Sequence, residues 1–188
     1  GRIYFGDQDV KSIPTSQLMK HVAYVAQDNF LFDTSIRENL KIAKADATDE
    51  EIQAALKAAN CLELIERLPE GLNSNAGDCG KFLSGGERQR ITLARAMLAD
   101  AQCIILDEAT AYADVENEAK IQEALSRLMK DKTLIVVAHR LNTIVGADQI
   151  MVLGHGKIES IGTHKELIQN SSAYQKLWQS YSGKEVVE

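Results

Sequence analysis

The sequence is short of cysteine, of long apolar runs and of basic charge, and each shortage removes a class of protein. Cys61, Cys79 and Cys103 are odd in number, and no two are spaced C-x-x-C. Neither a disulfide framework nor a zinc site is suggested, and a reducing compartment fits. No run approaches the roughly 20 apolar residues needed to span a bilayer, and no signal-peptide pattern is present. The net charge of −6 works against a general affinity for nucleic acid or anionic membrane. No nucleic-acid partner is therefore expected. What remains is a globular composition, 45% hydrophobic and 26% charged over 188 residues, ample for one buried core.

The chain opens on Gly1, next to a strand-like run Arg2–Phe5, which reads as a start cut from something longer. A turn at Gly6-Asp7 and a second extended piece ending near Ile13-Pro14 follow. His21–Ala26 reads as a strand, rich in β-branched and aromatic residues, that stops at Gln27-Asp28-Asn29. From Thr34 to about Arg67 apolar residues recur at helical spacing, and Thr48-x-x-Glu51 is a capping-box start. Pro69, Gly71, Gly77 and Gly80 mark a loop, and Ser84-x-x-Glu87 opens another capped helix running to about Leu98.

An α/β alternation then begins. Strands are expected at Cys103–Leu106, Leu134–Ala138 and Gln149–Leu153, and a helix from about Asp114 to Met129. The strands are nearly continuous apolar runs, which predicts a parallel sheet covered on both faces. Gly154-His155-Gly156 reads as a hairpin turn into Lys157–Ser160, and Thr163-x-x-Glu166 caps a closing helical segment to about Tyr181.

The chemistry gathers at strand ends and at one helix start. Cys103-Ile-Ile-Leu106 ends in Asp107-Glu108, which puts two carboxylates at the carboxyl edge of a sheet, where ligands collect. One can hold a magnesium ion while its neighbour orients or deprotonates an attacking water. The plainer alternative is a pair of solvated acids. Ser84-Gly85-Gly86-Glu87 places two glycines in the first turn of a helix, at about 1 kcal/mol each relative to alanine. A capping box alone gives no reason for that pair, whereas close approach of a phosphate to the helix start does. His139 follows the strand Leu134–Ala138, and Gln27 follows His21–Ala26, so both also fall at a carboxyl edge. A lone histidine is more often structural, and it is the shared edge that favours function.

Taken together, these residues resemble the nucleotide-binding domain of ABC transporters. Leu83-Ser-Gly-Gly-Glu87-Arg-Gln-Arg90 looks like the family's signature, and Ile104-Ile-Leu-Asp107-Glu108 like its Walker B strand with the catalytic glutamate. Gln27 falls where the Q-loop glutamine lies, His139 where the switch histidine lies, and Asp114 where the D-loop aspartate lies. The resemblance implies an α/β, P-loop NTPase-like (RecA-like) fold with a mostly parallel sheet and an inserted helical subdomain. Residues 1–27 and 101–182 would form the α/β core, residues 28–100 the helical part with the signature helix, and 183–188 a tail.

It also implies ATP and Mg2+ as cofactors, and a composite site between two such domains facing head to tail. Asp107 and Gln27 would help hold the metal, Glu108 would act as general base, and His139 would contact the γ-phosphate. Ser84, Gly85, Gly86, Glu87 and Asp114 would face the nucleotide held by the partner domain. Other implied partners are a transmembrane domain and, through it, the cytoplasmic face of a membrane. Gly77-Asp78-x-Gly80 resembles the loop by which export-type members meet their membrane helices.

The sequence departs from the family in one large respect. The phosphate-binding pattern G-x-x-x-x-G-K-[ST] is absent from the 188 residues, so the expectation is a domain truncated at its front and inactive alone. The D-loop reads Ala111-Tyr112-Ala113-Asp114, and Glu87 stands where glutamine is frequent. Two other readings compete: a degenerate, non-catalytic domain serving as a partner module, and a soluble ABC ATPase that moves no solute. The DNA-repair form of the latter needs a long coiled coil between Gln27 and Ser84, and no sustained heptad pattern is found there.

Overall fold

The computed structural model describes residues 1–107, 115–128, 131–138 and 141–182. Glu108, Asp114 and His139 lie outside the described residues. The chain divides into two compact units, residues 1–137 and 138–188.

The first unit starts with a small hairpin, β1 (Tyr4–Phe5) and β2 (Gln8–Asp9), turned at Gly6 with φ 59°. The extended piece expected up to Pro14 forms as β2 but is interrupted by a 3-10 turn at Val10–Ser12. Asp9 accepts a hydrogen bond from the Lys11 amide at 3.0 Å and starts a 3-10 turn, and α1 (Thr15–Leu18) begins directly after Pro14. Proline supports this start because its fixed φ suits the head of a helix.

β3 (Val22–Val25) leads into the helical insert, made of α2 (Ile36–Lys41), α3 (Asp49–Ala58) and α4 (Leu62–Arg67). The capping box at Thr48 is formed in both directions, as its sequence predicts. After a glycine-rich loop comes α5 (Gly85–Ala99), which ends at Asp100 in a left-handed conformation. β4 (Cys103–Asp107), α6 (Val115–Leu128) and β5 (Thr133–Val137) complete the unit.

The three longer strands form a parallel sheet in the order β3-β4-β5. Val22, Cys103 and Thr133 share one register position, as do Val25, Leu106 and Val136. One face of the sheet is buried over β3 and β4: Ala23, Val25, Ile104 and Leu106 share a core with Ile91 and Leu93 of α5 and Ile121 and Leu125 of α6, while Val136 of β5 on the same face is 39% exposed. The opposite face is apolar yet open, with Tyr24 55%, Ile135 50% and Val137 49% exposed. The expectation of a sheet covered on both faces therefore holds for one face only.

The second unit is a hairpin and two helices. β6 (Ile150–Gly154) and β7 (Lys157–Gly162) pair antiparallel. The turn residues His155 and Gly156 both have positive φ, 50° and 71°, as a tight type I′ turn requires. Thr163 caps α7 (His164–Asn170) with the predicted capping box. The closing segment is two helices rather than one, because the buried Ser171 interrupts it. Ser171 Oγ accepts from the Tyr174 amide at 3.2 Å, starting α8 (Ser172–Ser182), and meets Ser160 Oγ at 2.8 Å. Ile150, Val152, Leu167 and Tyr174 form this unit's core. No helix among the described residues is long and apolar enough to cross a membrane.

Candidate nucleotide site

Asp107 is the last residue of β4, the central strand of the parallel sheet, and is half-buried. Gln27 lies two residues beyond the end of β3, the neighbouring strand. The sheet therefore brings these two predicted residues to its carboxyl edge on adjacent strands. Glu108 follows Asp107 in sequence, and His139 follows the end of β5 by two residues.

Tyr24 is a contact that the sequence alone did not reveal. Its hydroxyl donates to Asp107 Oδ2 at 3.0 Å. The register explains the meeting: Tyr24 pairs with Ile105, and Asp107 lies two residues on, hence on the same face. The hydrogen bond to Asp107 raises the Tyr24 phenol above its ordinary value, with burial and the nearby carboxylate charges adding to it.

The bond needs the protonated phenol, so it is present below the ordinary tyrosine value of about 10 and lost as pH rises through the raised one. In Asp107→Ala, ultraviolet titration should show one tyrosine ionising at lower pH than in the wild type. An unchanged titration would contradict the contact.

The head of α5 is a separate candidate. Ser84 sits at the N-cap with extended backbone, its Oγ accepting from the Glu87 amide at 3.3 Å, while Glu87 Oε2 accepts from the Ser84 amide at 2.8 Å. Burial pushes the Glu87 carboxyl up, but the Ser84 bonds and the ion pair with Arg67 outweigh it and hold Glu87 below the usual carboxylate range. Gly85 and Gly86 open the helix, and neither has positive φ. Turn geometry therefore does not require glycine at either place. Gly85 is half-buried and Gly86 buried, at the positive end of a helix dipole, where an anion is favoured.

The loop before α5 is built on glycines that do need their freedom. Gly80 has φ 72°, and a Cβ there would lie 2.7 Å from Arg88 Cδ. Arg88 in turn donates to the Leu83 carbonyl at 2.7 Å, which fixes the approach to Ser84.

These groups fit a magnesium nucleotide. Magnesium keeps several of its waters and takes one or two carboxylates plus phosphate oxygens. Asp107 is a hard oxygen donor of that kind, and the head of α5 suits a phosphate.

Comparison with known proteins gives the family. The ABC transporter family profile matches residues 1–111. The "Uncharacterized ABC transporter ATP-binding protein YfiC" of Bacillus subtilis is 45% identical over 180 residues, which is 96% of this chain and 30% of that protein. The "Mycobactin import ATP-binding/permease protein IrtA" of Mycobacterium tuberculosis is 45% identical over 186 residues, 99% of this chain and 22% of that protein. The solved structure of a bacterial Atm1-family ABC exporter with ATP bound aligns with a TM-score of 0.89 at 33% identity, covering 96% of this chain and 32% of the other. The chain thus spans less than a third of the length of these proteins. With the family profile matching more than half of it, this chain belongs to the ABC transporter family.

Proposed function

We propose that the chain is the ATP-hydrolysing domain of an export-type ABC transporter, working as half of a composite site. The observation that carries this reading is the parallel order β3-β4-β5, which sets Gln27 and Asp107 on one sheet edge, with Glu108 and His139 each following a strand of the same sheet. Asp107 and Gln27 would hold a magnesium ion, whose charge would offset that of the nucleotide phosphates. Glu108 accepts a proton from the attacking water, and His139 contacts the γ-phosphate. Ser84, Gly85 and Gly86, flanked by Glu87, meet the nucleotide held by a second such domain, and Asp114 contributes at the same junction. Residues 1–27 and 101–182 act as the catalytic core, and residues 28–100 as the helical part.

A transmembrane domain is the second partner, which places the chain at the cytoplasmic face of a membrane. The loop Gly77-Asp78-Cys79-Gly80 supports that contact. So do the exposed rings of Phe30 and Phe32, edge to face at 4.9 Å, on the segment leading into α2. Exposed apolar groups of this kind mark partner surfaces when they cluster.

The 188 residues carry no phosphate-cradle pattern and leave an apolar sheet face open beside Asp107. The cradle therefore comes from other residues, and these 188 alone are inactive. Phosphate release assayed on the purified 188-residue chain should match the buffer blank, whereas the intact transporter turns over. Turnover by the chain alone, abolished by Asp107→Asn, would overturn the inactive-fragment reading.

A further inference from the structure

The segment after β3 is fastened to α5 by side chains that none of the roles above uses. Asn29 is buried, at 7% exposure, and takes a left-handed backbone conformation with φ 46°. Asparagine tolerates that conformation, but glycine would serve it better if backbone shape were all that mattered. The Asn29 side chain is engaged at both ends. Its Nδ2 donates to the Gln27 carbonyl at 3.1 Å, and its Oδ1 accepts from the Thr92 hydroxyl at 2.9 Å. Thr92 is buried in the middle of α5, and its single hydroxyl hydrogen is shared with the Gln89 carbonyl at 2.8 Å. One turn further along α5, Arg95 Nη2 donates to the Phe30 carbonyl at 2.9 Å. The buried Asn39 then holds the next stretch, accepting from the Phe32 amide at 2.8 Å and donating to the Phe32 and Ser35 carbonyls at 3.0 Å.

α5 is the helix headed by Ser84-Gly85-Gly86. We propose that Asn29 and Thr92 are positioning residues that lock Gln27 to this helix, so that the two nucleotide-facing groups of the chain move as one body. A continuous helix transmits displacement along its length, and the buried Thr92–Asn29 hydrogen bond resists slipping. A shift of the α5 head therefore carries Gln27 with it. This inference rests on the proposed ATPase reading for its functional consequence, and on the hydrogen bonds alone for the mechanical link.

The test uses the intact transporter and has two arms. In the kinetic arm, Thr92→Val removes the hydroxyl at constant shape, Thr92→Ser restores it, and Asn29→Gly keeps the backbone conformation while removing both side-chain bonds. Thr92→Val and Asn29→Gly should lower kcat about ten- to a hundred-fold, with KM for ATP within about two-fold of wild type, and Thr92→Ser should recover the rate. Thr92→Val added to Gln27→Ala should cost nothing further, because both act through the same group. Wild-type rates in Thr92→Val and Asn29→Gly, or losses that multiply with Gln27→Ala, would overturn the proposal.

The second arm is amide hydrogen exchange by mass spectrometry. Thr92→Val should speed exchange over residues 27–30 while the centre of α5 stays protected. Unchanged exchange there overturns the link whatever the kinetics show. If the intact wild-type protein hydrolyses no ATP, the ATPase reading fails, and the exchange arm by itself decides the link.

Discussion

Glu108→Gln in the intact transporter should lower the rate of ATP hydrolysis by about 10²–10⁴-fold while leaving nucleotide binding close to wild type. Glu108 directly follows Asp107, the terminal residue of the central strand, and is the acid with no assigned metal role. Glutamine keeps the size and polarity of the side chain but cannot accept a proton from water. A general base lost in this way lowers kcat, not affinity. Measurement of phosphate release against ATP concentration separates the two. A variant with unchanged kcat would remove Glu108 from the mechanism and leave the plainer reading of a solvated acid.

Gly85→Ala should move stability and activity in opposite directions. Gly85 is the first residue of α5 and has no positive φ, so alanine fits its backbone. Alanine is the better helix former, by up to about 1 kcal/mol in a helix interior and less in the first turn. Thermal unfolding should therefore occur at the same or a higher temperature than in wild type. If a phosphate from the partner domain closes on this turn, the added methyl stands in its path, and the loss of one backbone donor costs about 10²-fold or more in turnover. A stabilised variant with full turnover would show that the Gly-Gly pair serves no ligand. A destabilised one would assign Gly85 a packing role.

Much of the fold that frames the candidate site was legible because its elements begin and end where local patterns change. The capping boxes at Thr48, Ser84 and Thr163 all form, since each depends only on a side chain and the amide three residues away. β4 and β5 fall within one residue of their predicted bounds because their apolar runs are unbroken. The Tyr24–Asp107 bond and the Asn29–Thr92 bond were not legible. Each joins residues far apart in sequence, and finding them needs the strand register or the packing of α5 against the segment after β3. α1 escaped because one turn of helix gives no periodicity, and the break at Ser171 because the amphipathic pattern runs through it. The open sheet face was misjudged for a different reason. An apolar run shows that a strand is to be buried, not which residues bury it.

The proposed role of Asp107 is to anchor a magnesium nucleotide that this domain helps to hydrolyse. It is tested most directly by phosphate release from the intact transporter, wild type beside Asp107→Asn, with and without magnesium. Magnesium-dependent turnover is expected in the wild type and none above background in Asp107→Asn. Equal rates in the two proteins, or no turnover in either, would contradict it.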